Sequence, residues 1–178
     1  MDRAEYEALV RAQRVWLNRV GPQSRFTADG LCGMHRDWLG RIYDWAGQYR
    51  TVDLSKGHFR WPPAYRVEAN MASFEQGALR RHTPCRAEPL PEVARRIAEV
   101  HAELLLIHPF REGNGRLARW LADLMVFQAG FPAPAYGFVG RGSRARRERY
   151  LAAVTQAYGK DYDALADFFA EAMARRRD

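Results

Sequence analysis

The sequence has few of the features that mark secreted or membrane proteins. Only two cysteines, Cys32 and Cys85, occur in 178 residues. They are too few and too isolated for a disulfide framework, so we expect reduced thiols in a cytoplasm. The longest apolar runs, such as residues 104–107, are far shorter than the roughly 20 residues of a membrane-spanning helix. Glu5 and Glu7 interrupt the N-terminal apolar positions, so neither a secretory leader nor a membrane partner is expected.

Lysine is also scarce, because only Lys56 and Lys160 are lysines and the other 26 of the 28 basic residues are arginine. This skew is typical of coding bias rather than of a designed binding surface. A net charge of +7 would suit a nucleic-acid partner. However, the densest runs, residues 141–149 and 175–177, are interpreted as solvated helix faces. A basic nucleic-acid-binding module is therefore an alternative that the composition does not favour.

No long stretch alternates apolar and polar residues, whereas apolar residues recur at helical spacing along most of the chain. At this length one compact domain is the default, so we predict a single all-α domain over residues 1–178. The exception is residues 51–62, where the Lys56-Gly57 turn signal predicts a short β-hairpin, here called the flap. The first expected helix covers roughly residues 6–17, and the second starts behind Thr27, a good N-cap, and carries apolar residues from 31 to 42. The other expected helices cover roughly residues 65–81, 93–107, 114–128, 143–158 and 162–175.

The most informative stretch is residues 108–119, His-Pro-Phe-Arg-Glu-Gly-Asn-Gly-Arg-Leu-Ala-Arg, here called the motif segment. Pro109 disfavours helix at the preceding residue, so one helix should end at His108. The next begins near Asn114. A helix N-terminus offers unpaired N–H groups, and Gly113 and Gly115 would let the backbone approach a phosphate closely. The segment is therefore predicted to bind nucleotide phosphates.

The side chains of the motif segment suggest phosphate chemistry. Arg116 and Arg119 are three residues apart on a first helical turn, where both could hold the β- and γ-phosphates. Glu112 supplies the oxygen ligand that Mg²⁺ prefers beside phosphate oxygens. His108 is predicted to be the general base of an in-line displacement. Phe110 is expected to anchor the loop in the core.

The motif segment resembles the signature of the Fic family, His-x-Phe-x-(Asp/Glu)-Gly-Asn-Gly-Arg-x-x-Arg, at every specified position. The resemblance implies a helical Fic fold and a protein adenylyltransferase, in which the histidine deprotonates a Ser, Thr or Tyr hydroxyl of a target protein. That hydroxyl then attacks the α-phosphate of the co-substrate ATP. Gly115 favours AMP transfer, since a related phosphorylating branch has lysine there. Phosphotransfer, or transfer from another nucleotide donor by the same fold, stays an alternative.

The resemblance also implies roles outside the catalytic histidine. Asn114 would help place the phosphates, and Tyr150 would approach the adenine. The flap would align the target chain by strand-like pairing, through Ser55, Lys56, Gly57, His58 and Phe59.

Regulation can be predicted from an absence. Many Fic proteins inhibit themselves through a (Ser/Thr)-x-x-x-Glu-(Gly/Asn) helix whose glutamate pairs with the second motif arginine. None of the eight serines and threonines here is followed four residues later by glutamate. We therefore expect a toxin-like member in a bacterial cytoplasm, held inactive by a separate small antitoxin. By resemblance, its target would be a topoisomerase subunit, or a host GTPase if a secretion system delivers it.

Overall fold

A computed structural model of the chain describes residues 2–86 and 88–175. Arg176 and Arg177 of the C-terminal arginine run lie outside the described residues, as do Met1, Ala87 and Asp178. The described helices are α1 Arg3–Arg19, α2 Ala28–Leu39, α3 Val67–Phe74, α4 Arg80–His82, α5 Leu90–Ile107, α6 Asn114–Gln128, α7 Ser143–Ala157 and α8 Asp163–Ala174. The all-α prediction is confirmed. Within the described ranges, no helix is long and apolar enough to cross a membrane.

The flap is a two-stranded antiparallel hairpin, as the Lys56-Gly57 turn signal predicts. Strands β1 Ser55–Lys56 and β2 Phe59–Arg60 pair Ser55 with Arg60 and Lys56 with Phe59. Gly57, in the turn, has a φ of 59°, a conformation that favours glycine. A 3₁₀ turn, Ala64–Arg66, then leads into α3.

The helix expected over residues 65–81 is not uniform. A π turn, Glu75–Leu79, separates α3 from α4. Within this turn, the Glu75 carboxylate accepts a hydrogen bond of 2.7 Å from the Ala28 N–H. A carboxylate beside the first turn of α2 is favourable because it meets the positive end of the helix dipole.

The core is built around α5, which packs most extensively against α8 and α6. Its predicted apolar stripe is confirmed: Val93, Ile97, Val100 and Leu104 are buried. Burying each such side chain contributes roughly 1.5–3 kcal/mol to folding. The end of α5 and the start of α6, between which the motif segment turns, are therefore held by the best-packed part of the molecule.

The helix N-termini differ in whether a side chain caps them, and α6, which follows the motif segment, is among those without a side-chain cap. Asp2 caps α1, and Thr27 caps α2 as predicted, accepting the Gly30 N–H at 3.0 Å. The N-cap of α6 is Gly113, which has a φ of 83° and no side chain with which to cap the helix. An uncapped N-terminus leaves backbone N–H groups of its first turn for an anion.

Candidate active site

His108 occupies the left-handed C-cap of α5, with φ 52° and ψ 60°. Its own N–H still bonds to the Leu104 carbonyl at 3.0 Å, but Pro109 prevents a further helical turn. The imidazole Nδ1 lies 3.1 Å from the Leu105 carbonyl oxygen. Because a carbonyl only accepts, Nδ1 carries the proton and Nε2 keeps its lone pair. This tautomer is the one a general base needs at Nε2.

The environment of His108 keeps the imidazole neutral. Burial lowers its pKa from 6.5 to about 4, against the hydrogen bond to Leu105, which raises it. The positive charges of Arg50 and Lys56 lower the pKa further, whereas Glu112 raises it. At neutral pH the ring is therefore uncharged and able to accept a proton.

Arg50, which the motif does not contain, connects the flap to His108. It is 2% exposed. Its Nε donates to the His108 carbonyl at 2.7 Å, Nη1 to the Val52 carbonyl at 2.9 Å and Nη2 to the Pro62 carbonyl at 2.5 Å. One rigid guanidinium thus joins both ends of the flap to the base. No local pattern marks this arginine among the others of the sequence.

Two buried side chains, those of Phe110 and Asn114, hold the loop between α5 and α6 in its conformation. Phe110 is fully buried and stacks on His35, with ring centroids 4.0 Å apart. The Asn114 side chain accepts the Phe110 N–H at 2.9 Å and donates to the Phe110 carbonyl at 2.8 Å. Both ends of its amide are thus committed to the loop backbone. The Asn114 side chain therefore shapes this loop through its backbone bonds.

The structure disagrees with the expectation that Arg116 points at phosphates. Its Nη1 pairs with Glu5 of α1 at 2.8 Å and its Nη2 with Glu112 at 3.0 Å. The guanidinium carbon also lies 4.8 Å from the centre of the Trp38 ring. Helical spacing places Arg116 and Arg119 on the same turn, but a carboxylate 111 residues away binds the first of them.

Arg119, unlike Arg116, lines a cavity together with His108. A cavity of about 500 Å³ opens between the flap, the end of α5, the start of α6 and α7. Its polar wall includes His108, Gly115, Arg119 and Lys56. Its apolar wall consists of Phe59, Trp61, Leu105, Tyr150, Leu151, Val154 and Tyr158, with Thr155 beside them. The predicted base, one motif glycine and one motif arginine therefore share one cavity.

Glu112 stands beside the first turn of α6 and is 62% exposed. Its Oε1 accepts the Gly113 N–H at 2.8 Å as well as the Arg116 contact. In residues 2–86 and 88–175, no group of three potential metal-ligating side chains of the His, Cys, Asp or Glu type comes together. A lone exposed carboxylate suits Mg²⁺ only when phosphate oxygens and water complete its six ligands.

His108 ends α5, Gly113 is the N-cap of α6, and the Asn114 side chain is bonded to the loop between these helices. Comparison with known proteins identifies the family to which this arrangement belongs. The Fic/DOC family model matches residues 25–126, more than half of the chain. The chain belongs to the Fic/DOC family. Its fold is also that of the Fic-domain BepC protein of Bartonella tribocorum, solved with bound AMPPNP, with a TM-score of 0.75 over 97% of this chain and 86% of that one at 20% identity.

Relatives of this Fic chain carry adenylyltransferase names. "Probable protein adenylyltransferase y4lH" of Sinorhizobium fredii is 32% identical over 135 residues, 75% of this chain and 66% of that protein. "Protein adenylyltransferase VbhT" of Bartonella schoenbuchensis is 30% identical over 115 residues, 65% of this chain. The chain spans only 24% of the length of VbhT.

The Fic resemblance placed Tyr150 near adenine, and the structure limits that contact. Tyr150 is 4% exposed, and its hydroxyl lies 2.7 Å from Nε2 of the buried His101. Tyr150 is nevertheless one of the residues that line the cavity. The hydroxyl instead interacts with Arg119, which counters the rise in the Tyr150 pKa that burial causes. Tyr150 therefore contacts the arginine predicted to bind phosphate.

Proposed function

We propose that this Fic domain transfers AMP from ATP to a hydroxyl of a target protein. The observation that carries the proposal is a neutral His108, with its lone pair on Nε2, in the same cavity wall as Gly115 and Arg119. Support comes from relatives named protein adenylyltransferases and from the AMPPNP bound to BepC. Base and anion site are the two parts that nucleotidyl transfer requires.

The proposed step is an in-line displacement at the α-phosphorus. The acceptor oxygen forms a bond to that phosphorus, and its proton passes to His108 Nε2. The bond from the α-phosphorus to the oxygen bridging the α- and β-phosphates breaks, and pyrophosphate leaves. The protein contributes mainly positioning and electrostatic stabilisation, as is usual in phosphoryl chemistry.

In this proposal the phosphates lie at the start of α6. Backbone N–H groups near Gly115 bind phosphate oxygens, and Arg119 binds the γ-phosphate through its guanidinium. Mg²⁺, when bound with the triphosphate, would be held by Glu112 together with phosphate oxygens and water, and would neutralise part of the charge. Arg116, which also pairs with Glu5 of α1, holds Glu112 in place through its guanidinium.

The flap is proposed to align the target. Its two short strands leave further backbone groups for pairing with an extended chain. Lys56 and Phe59 line the cavity, whereas Ser55, Gly57 and His58 are exposed. A target segment paired with the flap would thus pass the cavity that contains the base.

The test is transfer from α-labelled ATP with Mg²⁺ into proteins of a bacterial lysate, with identification of the labelled protein. The purified chain is expected to label a target or itself. His108→Ala should abolish labelling while ATP binding persists. His82→Gln is the matched control, because His82 pairs with Glu99 on α5 outside the cavity. Full labelling by the His108 variant would contradict the proposal.

Control by a separate antitoxin is proposed from the same site. Among the ion pairs of residues 2–86 and 88–175, none joins a glutamate to Arg119. The γ-phosphate position is thus not occupied by an inhibitory glutamate of the described chain. We infer a toxin-like enzyme acting in the bacterial cytoplasm, with a topoisomerase subunit as the candidate target. A purified chain that binds ATP yet labels nothing, itself included, would contradict this control.

A further inference from the structure

The Leu105 carbonyl oxygen, beside the base, is shared by hydrogen-bonding groups from three parts of the chain. In a continuing helix it would accept the N–H of residue 109, but that residue is proline and has none. Three groups use the free oxygen instead: Trp61 Nε1 at 3.0 Å, His108 Nδ1 at 3.1 Å and the Tyr158 hydroxyl at 3.4 Å. One carbonyl therefore connects the flap, the base and the end of α7.

Trp61 also covers the imidazole directly. The centroids of the Trp61 and His108 rings are 4.1 Å apart, with an angle of 34° between their planes. Phe59 packs edge-on against Trp61 at 5.2 Å and stacks on Tyr158 at 5.1 Å. The Trp61 indole thus packs between Phe59 and the base.

Arg50 also connects the flap to His108, through hydrogen bonds to main-chain carbonyls. Arg50 binds the carbonyls of Val52 and Pro62, which flank the flap hairpin, and the carbonyl of His108. The flap therefore cannot shift relative to α5 without straining contacts to both the backbone and the ring of His108.

From these contacts, we propose that Trp61 is a positioning residue for His108. Through it, the flap that receives the target also sets the orientation and solvent exclusion of the base. The inference rests on the proposed function, since it assumes that His108 is the base. Trp61 itself forms or breaks no bond in the reaction.

If Trp61 positions and covers His108, replacing Trp61 should change the pKa of the His108 ring. A purely structural role for Trp61 would leave that pKa unchanged. The charged and titratable groups around His108 are Arg50 before the flap, Lys56 on it, Glu112 in the loop, Arg119 on α6 and Tyr158 just after α7. Replacing Trp61 removes none of these groups, although Tyr158 loses its side-chain hydrogen bond with Trp61. Removing the indole admits water to the ring, and water favours the protonated imidazole.

The experiment is an NMR titration of the His108 ring nitrogens in the wild-type chain, Trp61→Ala, Trp61→Leu and Phe59→Leu. In the wild type we expect the midpoint near the pKa of about 4. Trp61→Ala should raise proton affinity about tenfold or more, one pKa unit, toward the unperturbed value. Trp61→Leu, which keeps apolar bulk but not the flat ring, should give a smaller rise. Phe59→Leu removes the aromatic ring beside Trp61 but keeps the indole that covers His108, so its midpoint should shift less than that of Trp61→Ala.

The pH profile of transfer provides the second readout. Activity needs neutral His108, so it is lost as pH falls through the His108 pKa. The acid limb should therefore lie at higher pH in Trp61→Ala than in the wild type. Unchanged His108 midpoints in folded Trp61→Ala and Trp61→Leu would overturn the inference, and Trp61→Leu decides if the alanine variant does not fold. Retained transfer by His108→Ala would instead overturn the proposed function, whereas the NMR arm needs no transfer.

Discussion

Replacing Gly113 by alanine should destabilise the fold for two separable reasons. Gly113 has a φ of 83°, and a side chain in this region costs about 1–2 kcal/mol. Its Cβ would also lie 2.8 Å from Cζ3 and 3.0 Å from Cη2 of Trp38. That ring cannot move easily, because it is buried and its Nε1 donates to the Glu5 carbonyl at 2.9 Å. Overpacking of this kind costs about 1–3 kcal/mol, so the total loss should be about 2–5 kcal/mol.

Gly130→Ala is the matched control. Gly130 has a φ of 80°, but a Cβ there would meet no atom within 4 Å. It should therefore lose only the conformational part, about 1–2 kcal/mol. The assay is urea denaturation of both variants, with Trp38→Phe added to each to remove the two clashing ring atoms. Trp38→Phe should cost less in the Gly113→Ala background than in the wild type, and show no such coupling with Gly130→Ala. Equal losses for the two glycines, with no coupling to Trp38, would refute the argument.

Three further substitutions separate stability from ligand binding. Gly115→Ala should change the free energy of unfolding by less than about 0.5 kcal/mol, because its Cβ would meet only a flexible arginine end at 3.6 Å; calorimetry should nevertheless show weaker ATP binding. Asn114→Ala should cost about 2–4 kcal/mol in urea denaturation, because the buried N–H and carbonyl of Phe110 lose their partner. Glu5→Gln should cost about 2 kcal/mol at pH 7. The hydrogen bond with Arg116 lowers the Glu5 pKa below 4.5, so the stability it provides is present above that pH. The difference between Glu5→Gln and wild type should therefore shrink as pH falls below 4.5, and a constant difference would contradict the ion pair.

Local signals in the sequence were sufficient for the helical scaffold. Thr27 identified the start of α2, and the break at Pro109 located the end of α5. Helix α6 begins at Asn114 and ends at Gln128, as predicted. These features depend on side-chain caps, proline geometry and helical periodicity, all of which act within a few residues.

Long-range contacts explain what the sequence could not reveal. Spacing made Arg116 look equivalent to Arg119, but Glu5 and Trp38 hold it away from the cavity. Gly113 was expected to be glycine so that the backbone could approach a phosphate closely. In the structure, the group nearest to a Cβ at this position is instead the Trp38 ring. Only Gly115, which lines the cavity, keeps that explanation.

The residues around the base were equally hidden from sequence reasoning. Trp61 stood in the sequence only as part of the flap, and Arg50 was one of 26 arginines. Their partners are the backbone carbonyls of Leu105, Ile107 and His108. Because every residue has a carbonyl, such contacts leave no pattern of residue types.

The measurement that tests the central claim most directly is paired labelling with α-labelled and γ-labelled ATP, using one preparation of the chain and of its His108→Ala variant. AMP transfer predicts protein labelling from the α-phosphate alone, release of the γ-label as pyrophosphate, and no labelling by the variant. Labelling from the γ-phosphate would identify a phosphotransferase. Labelling that survives in the variant would contradict the role of His108.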